Sequence, residues 1–185
     1  MPHIAIISSS VRLGRKSHRV ATFFKKYIEA NYNATAEIVD LMEYQFPMFD
    51  ERLRLMPNPS EKILDYAGRI EKADGVLIVT PEYNGGYPAA LKNAIDLLLP
   101  EWKRKPVAIS TVSGGMFGGT QVITSLTFSL FKMGVLLVPA MFPVATIDKA
   151  FDEEGNPADA EGVNKRAKAF VDELFWCVDA RAKMQ

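Results

Sequence analysis

The sequence predicts an α/β fold in which a five-stranded parallel sheet is covered by helices on both faces. Three observations lead there. Short apolar runs alternate along the chain with stretches of helical periodicity. Most of those runs are apolar at every position, not at every second one, as strands buried on both faces are. With 185 residues, 48% of them apolar, the chain can bury a sizeable core, and its single cysteine, Cys177, excludes disulfide support. Repeated strand–helix–strand units of this kind connect right-handedly into one parallel sheet.

The elements follow in order. Ile4-Ala5-Ile6-Ile7 is a short β-branched run and reads as the first strand. Val20, Phe23, Phe24, Tyr27 and Ile28 recur at helical spacing, with Ser17 expected as N-cap. Residues 37–41 read as a second strand, placed nearer an edge because it is more polar. Pro47, Pro57 and Pro59 make residues 42–59 a long loop. Ser60 is expected to cap a second helix whose stripe is Ile63, Ala67 and Ile70. Residues 75–79 form the clearest buried strand. Pro88 is expected at the first position of a helix carrying Leu91, Ala94, Ile95 and Leu98. Residues 106–112 read as the fourth strand, 119–133 as a helix and 135–138 as the fifth strand. A polar loop at 148–160 precedes a last helix with Val163, Ala167, Phe170, Val171, Leu174, Phe175 and Val178 in register. Without an internal repeat or linker, residues 1–185 are expected to form a single domain.

Composition narrows the function. Lys+Arg and Asp+Glu both number 22, and zero net charge argues against a nucleic-acid partner, which needs a basic face. One cysteine and two histidines, His3 and His18, leave no metal site to be expected. The start of the chain lacks a basic, long-apolar leader. The longest stretch without strongly polar residues, 134–145, is too short to span a bilayer. A cytoplasmic protein with no membrane partner is the expectation.

An open parallel sheet binds ligands beyond the carboxyl ends of its strands. Three loops there have unusual compositions. After strand one comes Ser8-Ser9-Ser10-Val11-Arg12-Leu13-Gly14-Arg15-Lys16-Ser17, with four serines, three cations and a helix start. A phosphate there meets hydroxyls, cationic side chains and open backbone N–H groups. Gly14 alone does not make a G-x-G-x-x-G dinucleotide turn, and the spacing to Lys16-Ser17 breaks the G-x-x-x-x-G-K-[ST] pattern. Serines at the end of strand one also stand where a phospho-acceptor regulator needs acids. After strand three comes Thr80-Pro81-Glu82-Tyr83-Asn84-Gly85-Gly86-Tyr87. After strand four comes Ser113-Gly114-Gly115-Met116-Phe117-Gly118-Gly119. A phosphate clamp with two glycine-rich walls suits a phosphorylated planar cofactor.

The first of these loops resembles the G-S-x-R-x-x-R/S turn of NAD(P)H-dependent FMN reductases, with Ser9 where that family usually has glycine. Pro81-Glu82-Tyr83-Asn84, followed by Pro88 and Leu91-Lys92-Asn93-Ala94-Ile95-Asp96, is similar to the family's P-E-Y-N…P…L-K-N-x-I-D signature. Ser113-Gly114-Gly115 with Gly118-Gly119 is similar to its S-x-G…G-G loop. The resemblance implies a flavodoxin-like fold with strand order 2-1-3-4-5 and tightly bound FMN. It implies that Ser10, Arg12, Arg15 and Ser17 hold the phosphate. Pro81, Glu82, Tyr83 and Asn84 then border the isoalloxazine, Gly85 contributes backbone, and Ser113, Gly114 and Gly115 close the other side.

It further implies ping-pong hydride transfer from NADPH or NADH to a small acceptor (quinone, azo compound, chromate or flavin), in a homodimer or homotetramer. The flavin carries the chemistry, so no catalytic side chain is expected. Asn93 and Asp96 are expected to shape loop and helix, Cys177 to pack, and His18 to face solvent. The competing reading is a flavodoxin-type electron carrier or an FMN-binding interaction module. Zero net charge weighs against a carrier, which docks through charged faces.

Overall fold

The computed structural model describes residues 1–184. Five strands, β1 (His3–Ser8), β2 (Thr35–Asp40), β3 (Gly75–Pro81), β4 (Pro106–Val112) and β5 (Leu136–Val144), form one parallel sheet. Its order is β2-β1-β3-β4-β5. The chain leaves β1 for β2 on one side and returns to β3 on the other, so the strand order reverses beside β1. The crevice that such a reversal opens lies past the carboxyl ends of β1 and β3.

Side chains alternate between the two faces of each strand, and both faces are buried. Ile4, Ile6, Leu77 and Val79 face α1 (Ser17–Asn31) and α7 (Ala160–Lys183), where Phe24, Ile28, Phe170 and Leu174 complete a core. Ala5, Ile7, Val76 and Ile78 face the other way, toward α3 (Glu61–Lys72), α4 (Ala89–Leu97) and α5 (Val122–Lys132), with Ile70, Leu91, Ile95 and Leu126. Each of these side chains other than Ala5 contributes about 1.5–3 kcal/mol on burial. This two-sided demand is why the strands read as unbroken apolar runs. β2, paired on one side only, is the more polar strand expected near an edge. Among the described residues no helix is long and apolar enough to cross a membrane.

Several local expectations need correction. Ser17 is the first residue of α1, not its cap; Lys16 holds the cap position and makes no capping side-chain bond. Pro88, in turn, is the cap of α4 and not its first residue. Ser60 caps α3 as expected, accepting the Ile63 N–H at 3.4 Å. β5 runs to Val144, through Pro139 and Pro143, because an edge strand has one side on which a missing N–H goes unused. A register shift between Val107 and Ile109 accommodates its extra length. α5 begins at Val122, not 119, since Gly118 and Gly119 are left-handed (φ 63° and 74°). The 42–59 loop carries the end of α2 (Leu41–Tyr44) and a 3-10 turn at Leu53–Leu55; α6 (Ile147–Ala150) opens the 148–160 loop.

Candidate cofactor site

The turn between β1 and α1 is held from outside as well as within. The Ser9 N–H donates to Val79 O at 3.1 Å, tying the turn to β3. Gly14 takes φ 66°, the left-handed bend that lets the chain double back into α1. Arg15 lies across the inside of the turn. Its Nη1 donates to Ser10 O at 2.9 Å, and both terminal nitrogens grip the Asp40 carboxylate.

Asp40 stands at the end of β2, in register with Ser8, and also accepts the Met42 N–H at 3.0 Å. His18 completes the cluster, with Nδ1 3.0 Å from Ser8 Oγ and 3.6 Å from Asp40 Oδ2. Burial pushes the Asp40 carboxyl up, but the Arg15 and Met42 hydrogen bonds and the Arg15 and His18 charges outweigh it and hold its pKa below the usual value. Burial and then the Arg15 charge hold His18 below its ordinary pKa, against the opposing pull of Asp40 and Glu43. His18 is therefore a half-buried network member, not the solvent-facing residue expected.

The start of α1 is open and electropositive. Its first turn carries no acidic side chain and no side-chain cap, so its N–H groups and its positive dipole end are open. Ser17, 3% exposed, and Ser9, fully buried, each present a hydroxyl without any hydrogen-bond partner. Buried hydroxyls are normally satisfied, and Ser17 lines the cleft. Arg12 and Lys16 supply charge beside it, with Lys16 Nζ 2.6 Å from Asp148.

Two further loops wall the cleft. Tyr83 and Gly86 exchange both backbone hydrogen bonds, at 2.8 and 3.1 Å, around Asn84 and Gly85 (φ 53° and 79°). Two positive φ values in a row define the tight hairpin turn that Asn-Gly favours. This turn aims Tyr83 inward, its hydroxyl 2.7 Å from Ser10 Oγ, so the second wall touches the first. The third wall hangs on the end of β5: Ser113 N–H donates to Val144 O, and Thr146 N–H to Gly115 O, both at 3.0 Å.

The resulting cleft has a volume of about 260 Å³ and brings together Ser10, Arg12, Arg15, Ser17, Pro81, Glu82, Tyr83, Ser113 and Gly114. Asn84, Gly85 and Gly115 shape the walls but lie outside its lining. Asp40 and Asp148 were not anticipated as site residues, and Lys16 was expected only as one of the three cations of the first loop. Asp148 is 132 positions from Lys16 and carried no local signal. Asn93 stays outside the cleft and anchors the 42–59 loop, its Oδ1 accepting the Phe49 N–H at 2.6 Å and its Nδ2 donating to Pro47 O at 2.7 Å. Asp96 pairs with Lys92 along α4, and Cys177 is buried in the core. Orphaned hydroxyls, an open helix start and cations at one end, with Pro81 and Tyr83 at the other, fit a flat ligand carrying a terminal phosphate, as FMN does.

Comparison with known proteins agrees with this geometry. The NAD(P)H-dependent FMN reductase LOT6 of Saccharomyces cerevisiae is 36% identical, over 78% of this chain and 83% of its own length. The quinone reductase of Escherichia coli K12 is also 36% identical, over 64% of this chain and 63% of its own. Among solved structures, the flavoenzyme NAD(P)H:(acceptor) oxidoreductase FerB of Paracoccus denitrificans superposes with a TM-score of 0.77 at 28% identity, covering 95% of this chain and 98% of that one. Residues 2–149 match the sequence profile of the family described as NADPH-dependent FMN reductase, and with that match spanning all three walls of the cleft, the chain belongs to this family.

Proposed function

We propose that the chain is an NAD(P)H-dependent, FMN-containing oxidoreductase that moves hydride equivalents from NADPH or NADH to quinones or similar small acceptors by a ping-pong mechanism. The observation that carries the reading is the unpartnered Ser17 hydroxyl at the uncapped start of α1, in a cleft with Arg12 and Lys16. The relatives' descriptions as reductases favour an enzyme over an electron carrier.

The chemistry supplied by bound FMN is acceptance of a hydride from the nicotinamide followed by delivery of two electrons to the acceptor. The chain's own residues bind and orient. Ser10, Arg12, Ser17 and the first N–H groups of α1 hold the phosphate, while Arg15 keeps the turn in shape from within through Asp40 and Ser10 O. Pro81, Glu82 and Tyr83, set by the Asn84-Gly85 turn, flank the ring system, and Ser113, Gly114 and Gly115 lie along its other side. The backbone N–H groups of Asn84, Gly85, Gly114 and Gly115, unlike those of Tyr83 and Ser113, are not taken by backbone carbonyls among the described residues and are fixed dipoles that stabilise negative charge without reorganising. The same reading includes a cytoplasmic location and a single FMN domain spanning the chain. It also includes a homodimer or homotetramer, supported by the exposed Phe128 and Phe131 of α5 and Met141 of β5.

Purified protein is expected to show flavin absorption, to release FMN on heating, and to oxidise NADPH or NADH only when a quinone is supplied, with parallel double-reciprocal plots. A colourless protein that neither binds added FMN nor gains melting temperature from it overturns the reading. Sedimentation velocity tests the assembly.

A further inference from the structure

The cleft that suits an anion also contains a carboxylate at its cationic end. Asp148 of α6 lines it, with its carboxylate 2.6 Å from Lys16 Nζ and 3.8 Å from Arg19 Nη1. The segment carrying it is fixed to the third wall, since Ile147 N–H donates to Ser113 O at 3.1 Å. Lys16 in turn immediately precedes Ser17 and its unpartnered hydroxyl. Three cations therefore border the anion turn in three different states. Arg15 is held by Asp40, Lys16 is engaged by Asp148, and Arg12 makes no ion pair among the described residues.

A phosphomonoester brings a charge of about −1.5 to −2 into this cleft. It competes with Asp148 for Lys16, and it is repelled by Asp148 itself. We propose that Asp148 is a built-in competitor for Lys16 that sets the cleft's affinity for the cofactor's phosphate below what its cations alone would give. This rests on the FMN reading above and adds a residue that determines affinity. A purely supporting role, in which Asp148 holds Lys16 ready for the phosphate, predicts the opposite sign when the carboxylate is removed.

The test is equilibrium and stop-flow titration of the full chain with FMN and with riboflavin, which lacks the phosphate, followed by flavin fluorescence. Asp148→Asn is expected to tighten FMN binding about tenfold, mainly through slower release, as one partly exposed unit charge near a dianion implies. Riboflavin binding is expected to stay unchanged. Adding Lys16→Met to Asp148→Asn is expected to abolish most of the gain. Asp148→Ser, a second neutral replacement at this exposed position, is expected to repeat the effect. FMN binding that is unchanged or weaker in both neutral variants, or riboflavin affinity that rises in step with FMN, overturns the proposal while leaving the cofactor reading intact. A wild-type chain that binds neither flavin overturns both.

Discussion

Ser17 and Arg15 sit two residues apart and contribute in opposite ways. Ser17 carries a buried polar atom that the protein alone leaves unsatisfied, so the apo chain holds it at a cost. Ser17→Ala is expected to leave the apo melting temperature unchanged or slightly raised, and to weaken FMN binding about tenfold, the size of a hydrogen bond to a charged group. Calorimetry on the apo chain and a flavin titration read the two effects separately. Arg15 is satisfied before any ligand arrives, by Asp40 and Ser10 O, and these bonds brace the turn.

The His18 beside this pair makes it sensitive to pH. Its pKa in the folded chain lies below the ordinary 6.5, so the unfolded chain binds a proton that the folded chain resists. The resulting stability is fully present above about 6.5 and is lost as pH falls from there toward the lowered folded value. The melting temperature is expected to decline between pH 7 and 5, and His18→Gln to remove that part of the slope. Asp40 acts in a separate window. Its folded pKa lies below 3.8, so its contribution persists above that value and disappears as pH falls through the folded one.

At the scale of elements, periodicity revealed most of the architecture, because burial on both faces of the sheet leaves unbroken apolar strands. What it hid was set by distant partners. Pro139 and Pro143 look like strand breakers until β5 is known to be an edge strand. The true start of α5 depends on Gly118 and Gly119, where an added Cβ would come 3.1 Å from Pro143 Cβ and 3.2 Å from Val112 O. The three loops of the cleft were legible from composition, whereas Asp40 and Asp148 were not, since only the strand order and the α6 segment bring them to the turn. Asn93 shows an element acting on a loop it does not adjoin. It bridges Pro47 O and Phe49 N–H, the polar tether of residues 47–49. Asn93→Ala is expected to speed proteolytic cleavage within residues 45–58 severalfold while moving the melting temperature little, because few side chains of that segment are buried. Unchanged cleavage counts against the tether.

For the molecule as a whole, the sheet separates two cores and leaves its chemistry at one rim, where the chain leaves β1 and β3 for opposite faces of the sheet. Asp40 belongs both to that rim and to β2, which has a neighbour on one side only. The Arg15 grip on Asp40 thus makes the outermost strand a reporter of what happens in the cleft. If opening of the β2 terminus requires releasing the turn, a ligand at a hundred times its dissociation constant opposes that opening by about 2.7 kcal/mol. Deuterium uptake at the amides of Glu37 and Val39, which lie on the β1 side of the strand as Thr35 N–H does, should then slow about a hundredfold on flavin saturation, whereas strand ends remote from the turn keep their rates. A border strand that ordinarily frays would in this protein be fastened by the molecule it helps to hold.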